Sequence, residues 1–191
     1  KYDSSEKDHC GSCDKCLKIC PTNAFDSPYK LNATKCISYL TIENKSIIPK
    51  KYRQAIGNRI FGCDDCLAIC PWNKYAKLSN ETKFDYKMYN FDLQDLLKLC
   101  EETFRVQFRG SPVKRIGRDR FLRNCCISAG NSNNKKLLPD IIKLLMEDKS
   151  FIVRGAAVWA FQQLSDKELY KHIKVKHLNI EKDTLVIQEW T

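Results

Sequence analysis

The sequence predicts an α+β protein in two parts, a cysteine-rich N-terminal part with short elements and an all-α C-terminal part. Eight of the eleven cysteines lie between Cys10 and Cys70. After Ser111, apolar residues recur at the spacing of amphipathic helices that pack together. We place the N-terminal part at residues 1–78, a connecting helical segment at 79–111 and the helical part at 112–191. A chain of 191 residues has room for this division.

One cysteine motif occurs twice in the N-terminal part. Cys10, Cys13, Cys16 and Cys20 are separated by two, two and three residues, and Pro21 follows directly. The last three-quarters of the pattern return as C-D-D-C-L-A-I-C-P from residue 63 to residue 71. This spacing is typical of bacterial-type ferredoxins, whose loops surround iron–sulfur clusters with thiolates. The motif therefore predicts iron–sulfur clusters.

The pairing of ligands follows from the same spacing, because the fourth cysteine of such a run binds the other cluster of a two-cluster protein. The predicted sets for two [4Fe–4S] clusters are Cys10, Cys13, Cys16 and Cys70 for the first and Cys20, Cys36, Cys63 and Cys66 for the second. Cys36 belongs to the second set although residues 37–62, a long insert, separate it from the next ligand. We expect this insert to lie over the second cluster.

Zinc and disulfides are the alternatives for these cysteines. A four-cysteine zinc site needs two C-x2-C pairs and no third cysteine in phase. Disulfides are disfavoured because the cysteine count of 11 is odd and no export signal is recognisable. Thiolate clusters without an export signal predict a cytoplasmic protein, and no apolar run reaches the length of a membrane span.

The chain has a formal net charge of +10. Eight bound thiolates and two cluster cores of about +2 each lower this charge to about +6. The excess lies mostly in residues 112–191, which hold 15 Lys and Arg against 9 Asp and Glu. A basic C-terminal part favours a polyanionic partner such as nucleic acid. A basic surface without a partner is the alternative on charge alone.

Several strings resemble one family. They are C-I-S-Y-L-T-I-E from residue 36, G-N-R-I-F-G-C-D-D-C from residue 57 and C-P-W-N from residue 70. All three are similar to the epoxyqueuosine reductases, and the C-terminal part fits that family as well. The resemblance implies an oxidoreductase that reduces epoxyqueuosine to queuosine at the wobble position of tRNA, using cobalamin and two [4Fe–4S] clusters. It implies an external electron donor and a monomer.

The resemblance departs from the family in one respect, because the cobalamin-binding N-terminal domain with its catalytic acid has no counterpart here. We expect the chain to be the iron–sulfur and tRNA-binding portion, inactive alone and without catalytic residues of its own. The missing domain would lie in the same or in a separate chain. Ser38 and Asp64 neighbour second-cluster ligands, and we predict that both face cobalamin. The alternative is that they only bond backbone near the cluster.

The connecting segment and the helical part read as a series of helices. A helix capped by Asp92 carries apolar residues at helical spacing, and Cys100 is predicted to be a buried thiol on it. Residues 111–131 are predicted to form one helix. The later string D-K-S-F-I-V-R-G-A-A-V-W-A-F-Q-Q-L resembles HEAT repeats, which stack helix pairs into a solenoid. Small residues such as Gly155 allow close helix packing there.

Basic residues crowd the start of the helical part, where Lys114, Arg115, Arg118, Arg120 and Arg123 lie within ten residues. They do not all share a face, but three positive groups can lie together on one side of the helix. We predict contacts with tRNA phosphates. The predicted residues are Lys45, Lys114, Arg115, Arg118 and Arg123. The alternatives are a solvated face or ion pairs with acidic neighbours.

A different function class stays open at this point. The chain could be a two-cluster ferredoxin-type electron-transfer module of another reductase, for example one like the reductive dehalogenases, with no role in tRNA. The long insert and the basic helix favour the first interpretation, because a simple carrier needs neither. Salt-sensitive binding of tRNA would separate the two.

Overall fold

The computed structural model describes residues 2–5, 7–77, 79–80 and 91–191. Helices dominate these ranges, where the strands form one antiparallel ribbon of β1 (Phe25–Ser27) and β2 (Lys30–Leu31). The helices are α1 (Lys15–Ile19), α2 (Lys50–Ile56), α3 (Asp65–Ala68), α4 (Leu93–Leu97), α5 (Glu101–Gln107), α6 (Gly117–Asn131), α7 (Leu138–Glu147), α8 (Phe151–Leu164), α9 (Lys167–Leu178) and α10 (Thr184–Ile187). None of the described helices is both long and apolar enough to cross a bilayer. The sequence predicts an α+β fold, and the β part of the described residues is this one short ribbon.

Short helices carry the two cysteine motifs. α1 begins after Asp14 and ends at Cys20, because the ring of Pro21 cannot continue the helix. α3 carries the second motif, and a 3₁₀ turn over Pro71–Tyr75 follows it. α1 packs against α3. The two motifs therefore lie side by side.

The insert, residues 37–62, packs mainly against the helical part. Its two ends adjoin Cys36 and Cys63 in the chain. Ile48 and Ile56 are 1% and 0% exposed and belong to the same apolar core as α6 and α8. Whether the insert also lies over the second cluster stays a prediction. Its apolar side chains are stabilised by burial in the helical core.

The centre of the helical part is α8, which packs against α6 and α7. Two glycines allow the close approach. A Cβ on Gly130 would lie 2.6 Å from the Trp159 ring, and a Cβ on Gly155 would lie 2.9 Å from the Ile47 side chain. Ile47 belongs to the insert, so the close packing extends from the helices to the insert. Gly155 therefore faces the insert, where the sequence predicts close packing between helices, and the close approach of α6 and α8 occurs at Gly130.

Two breaks divide helices that the sequence predicts as continuous. A 3₁₀ turn over Pro112–Ile116 precedes α6, and Gly117, with φ of +76°, separates the two. In the connecting segment, Cys100 caps α5 by accepting a hydrogen bond from the Thr103 amide at 3.5 Å, so α4 and α5 are separate. Cys100 is exposed, and the prediction of a buried thiol is wrong. Residues 81–90 of this segment lie outside the described residues.

A buried ion pair joins the insert to the C-terminal end of the chain. Arg53 in α2 donates two hydrogen bonds of 2.7 Å to the Glu189 carboxylate and one of 2.8 Å to the Ile48 carbonyl. The Arg53 and Glu189 side chains are 1% and 8% exposed. Lys50 also donates to the carbonyls of Gln188 and Glu189. Each charge therefore depends on its partner, because an unpaired buried charge is costly.

We expect Glu189→Ala to lower the free energy of unfolding by about 3–5 kcal/mol, because it leaves the Arg53 guanidinium buried without its partner. The control is Glu101→Ala, which removes an exposed pair with Arg105 and costs about 1 kcal/mol or less. Urea unfolding followed by circular dichroism measures both variants. Equal losses in the two would contradict the role assigned to burial.

Candidate metal centre and nucleic-acid surface

Four cysteines from both motifs line one open cavity of about 250 Å³. They are Cys10, Cys13, Cys16 and Cys70, the set predicted for the first cluster. His9 and Trp72 line the same cavity, and their ring centroids are 5.7 Å apart. The cavity fits a group held by thiolates from both motifs. The assignment of these four as ligands stays a prediction.

Tight turns place the sulfurs of this set. Gly11 has φ of +55°, a left-handed conformation that glycine adopts without strain, and the Cys13 amide donates to the Cys10 carbonyl at 3.1 Å. The chain therefore reverses between the first two cysteines. Cys16 follows in α1, and Cys70 precedes the 3₁₀ turn after α3.

Cys36, Cys63 and Cys66 also lie close together. Burial raises the pKa of the Cys66 thiol, and the neighbouring Cys36 and Cys63 raise it further because like charges repel. Burial likewise raises the pKa of Cys63. A positive metal centre overcomes these effects, since its binding displaces the thiol protons. Without a metal, Cys63 and Cys66 therefore favour the protonated thiol form.

Cys20, the fourth predicted member of the second set, ends α1 and faces backbone donors. Burial raises the pKa of its thiol, but the amide of Ala24, together with Thr22 and Asn23, lowers it by more. The Ala24 nitrogen lies 3.3 Å from Sγ. N–H groups directed at sulfur stabilise a thiolate and tune the potential of a cluster bound to it.

Zinc is the alternative to a cluster for these cysteines. Among the described residues, no three His, Cys, Asp or Glu side chains converge closely enough to hold one ion. A tetrahedral zinc site with Zn–S bonds of about 2.3 Å brings its sulfurs within about 4 Å of one another. A cluster of four iron atoms is larger, so its ligands stand farther apart. The two groups differ in the spacing of their ligands, and the choice between them stays a prediction.

Ser38 and Asp64 differ in what they contact. The Ser38 hydroxyl donates to the Cys63 carbonyl at 3.0 Å and accepts from the Cys63 amide at 2.9 Å. These hydrogen bonds fit the alternative expected for Ser38, in which the side chain bonds the backbone beside a predicted cluster ligand. Asp64 precedes α3, is exposed and makes no capping hydrogen bond. Whether either side chain faces cobalamin stays a prediction.

Sequence reasoning missed Thr41 and Asn124. Both are 0% exposed, and both bond the insert close to predicted ligands. A sequence signal did exist for Asn124, because an asparagine inside a helix that reads apolar on either side must find hydrogen-bond partners when it is buried. Thr41 had no such signal, since threonine is common in exposed turns.

Two of the basic residues predicted to bind nucleic acid are engaged inside the protein. Arg123 is 0% exposed and donates to three backbone carbonyls of the insert. A guanidinium enclosed in this way cannot reach a phosphate, so the prediction for Arg123 is wrong. Arg118 has a side chain that is 18% exposed, and it pairs with Asp148 at 2.6 Å and with Asp119.

Lys45, Lys114 and Arg115 are exposed, and we call these three residues the basic patch. Arg115 pairs with Glu43 at 2.8 Å and lowers the pKa of that carboxyl, and Arg120 and Lys45 act in the same direction. The insert and the helical part therefore both contribute positive charge around Glu43. An exposed pair of this kind contributes little stability, so a phosphate can compete for Arg115.

Comparison with known proteins agrees with this site. A family model described as a 4Fe-4S double cluster binding domain matches residues 9–73, which contain all eight predicted cluster ligands. The epoxyqueuosine reductase of Pseudomonas aeruginosa is 42% identical over 160 residues, which cover 83% of this chain. A solved epoxyqueuosine reductase with an epoxyqueuosine-modified tRNA-Tyr stem loop matches the whole chain with a TM-score of 0.91 and 32% identity. The chain belongs to the epoxyqueuosine reductase family.

The chain spans about half the length of these relatives. It covers 44% of the P. aeruginosa protein and 51% of the solved chain with the stem loop. The epoxyqueuosine reductase structure from Bacillus subtilis also matches the whole chain, with a TM-score of 0.86 and 32% identity, and is covered to 51%. The match over 100% of this chain shows that both the cysteine-rich part and the helical part have the family's fold.

We expect Cys36→Ala to lower the iron content of the anaerobically reconstituted chain from about eight per chain towards about four, because it removes one ligand of the second predicted cluster. Cys100→Ala is the matched control, since Cys100 lies outside both motifs. Iron and sulfide analysis with EPR of the reduced protein gives the answer. Unchanged iron in Cys36→Ala, or one bound zinc in the wild type, would refute the ligand sets.

Proposed function

We propose that the chain is the iron–sulfur electron-relay and tRNA-binding portion of an epoxyqueuosine reductase that converts epoxyqueuosine to queuosine at the tRNA wobble position. The observation that carries this proposal is the cavity in which Cys10, Cys13 and Cys16 of one motif meet Cys70 of the other. Thiolates from both motifs around one space are what two interlocked [4Fe–4S] clusters require. The family membership supplies the reaction.

In the proposed reaction, the clusters of this chain deliver electrons one at a time. Reduction of an epoxide to an alkene takes two electrons and two protons and releases the oxygen as water. Cobalamin, if held by the part of the relatives that this chain does not cover, would supply the strong reductant for that step. The chain's own contribution is to hold the clusters and keep their thiolates in place. The Ala24 amide at the Cys20 sulfur is one contact that would tune a cluster potential.

The basic patch is the part of the surface that we propose to contact tRNA. Lys45, Lys114 and Arg115 are exposed at the junction between the insert and the helical part. Phosphate groups attract such a patch without reading sequence. The helical part would act as a HEAT-like scaffold behind it, and the protein would work as a cytoplasmic monomer with an external electron donor.

The proposal predicts that the chain binds a tRNA anticodon stem loop and that added salt weakens the binding. Lys45→Ala combined with Lys114→Ala should lower the slope of log K against log salt by about 1.4–1.8, because two phosphate contacts are lost. Lys167→Ala with Lys171→Ala, two exposed lysines on α9, is the control. Fluorescence anisotropy at several salt concentrations measures both.

The outcomes separate the two function classes. A two-cluster electron carrier without a role in tRNA predicts no salt-dependent binding by the wild type. Equal loss of slope in both double variants would contradict the basic patch. For the reaction itself, a complete protein that contains this chain, both clusters and cobalamin should convert an epoxyqueuosine stem loop when a chemical reductant is present. Failure of that loaded protein to convert it would refute the proposed activity.

A further inference from the structure

Helix α6 of the helical part holds both ends of the insert that leads from one predicted second-cluster ligand to the next. Asn124 Nδ2 donates hydrogen bonds of 2.8 Å to the carbonyls of Thr41 and Ile60. Thr41 follows Cys36 closely in the chain, and Ile60 closely precedes Cys63. One amide group therefore joins the two ligand-bearing segments.

Arg123, the preceding residue on α6, closes the turn after Cys36. Its guanidinium is 0% exposed and is satisfied by backbone oxygens, without an ion pair in the part of the chain that the structure describes. The carbonyl acceptors are Leu40 at 2.9 Å, Asn44 at 2.7 Å and Ser46 at 2.6 Å. Its Nε also donates to Asn124 Oδ1 at 3.1 Å, which orients the Asn124 amide.

The charge of Arg123 persists at neutral pH. Burial, with Arg120 and Arg53 nearby, lowers the pKa of the guanidinium to about 9. A buried cation without a carboxylate is expensive to keep, and its enclosure by carbonyls explains how the fold tolerates it. Such a charge favours the addition of an electron to any centre nearby.

Thr41 and Ser38 carry the restraint from α6 to the ligands. The Thr41 hydroxyl donates to the Ile37 carbonyl at 2.8 Å and accepts from the Gly62 amide at 3.0 Å. The Ser38 hydroxyl accepts from the Cys63 amide at 2.9 Å. The segment after Cys36 is thus bonded, through the hydroxyls of Ser38 and Thr41, to the backbone at Gly62 and Cys63.

We propose that Arg123 and Asn124 are positioning residues for the second cluster, which fix the Cys36 and Cys63 thiolates relative to each other and thereby set that cluster's reduction potential. This inference rests on the proposed ligand set. The placement of ligands, their hydrogen bonds and their burial are the means by which a protein tunes cluster potentials. The helical part, besides binding its partner, therefore tunes electron transfer.

The test is a redox titration of the reconstituted chain followed by EPR. The signal of the second cluster is identified as the one that Cys36→Ala loses. Arg123→Lys keeps the positive charge, but one ammonium group cannot span the three carbonyls. Arg123→Met removes both the charge and the hydrogen bonds to these carbonyls. At the wild-type midpoint, we expect each variant to change the ratio of reduced to oxidised second cluster about tenfold, a shift of about 59 mV for one electron. Arg123→Met should make reduction harder, and the first cluster should not change.

Arg154→Lys is the control, because the Arg154 side chain is also largely buried, at 18% exposed, and donates to Glu181 and to the carbonyls of Asp148 and Lys149, which lie outside the insert. It should leave both potentials unchanged. Unchanged second-cluster signals in a folded, loaded Arg123→Lys, or equal shifts of both clusters, would overturn the inference. If the Arg123 variants do not fold, Thr41→Val tests the same restraint with a side chain of equal shape. A wild type with a single cluster would instead refute the ligand set.

Discussion

The anchorage of the insert to the helical part is the constraint on which the rest of the structure depends. Two buried guanidinium groups provide it, Arg53 through the Glu189 carboxylate and Arg123 through backbone carbonyls. A guanidinium presents several donors in a rigid fork, so it can close a segment of irregular backbone where apolar contacts alone cannot. The insert is irregular over much of its length and needs such donors, because buried carbonyls must be paired.

This anchorage matters because the cysteine-rich part has little apolar core of its own. Among the described residues before Cys36, Ala24 is the one buried apolar side chain outside the cysteines. A segment of that kind is held by its metal ligands and by its neighbours, as in other small metal-binding domains. The insert supplies the neighbour, since Ile37, Leu40, Ile48 and Ile56 are all buried in the core of the helical part. The insert, which the sequence places within residues 1–78, therefore packs with the helical part.

The basic residues show why charge in a sequence does not by itself locate a binding surface. Three arginines are neighbours on α6, Arg118, Arg120 and Arg123. Each donates hydrogen bonds to other groups of the protein. Lys114 and Arg115, a few residues earlier, stay in solvent with Lys45 from the insert. The difference arises because Arg120 and Arg123 face the insert, whereas Arg118 faces Leu99 and Asp148. Helical spacing indicated which arginines share a face, but it did not indicate what that face meets.

By itself, the sequence determined the cysteine spacing, the ends of the helices at Pro21 and Asp92, and the presence of packed helices after Ser111. These features are local, since they depend on residues a few positions apart. Segments distant in the chain supplied the hydrogen-bond partners of Arg123, Asn124 and Thr41. Cys100 is exposed because it caps α5, a role that the sequence did not indicate. Only the tertiary structure decided them, because a buried polar group takes whichever partner the packing brings to it. The cysteine spacing thus predicted the motif from Cys10 to Cys70. It did not predict the contacts from α6 that hold the segments carrying the second ligand set.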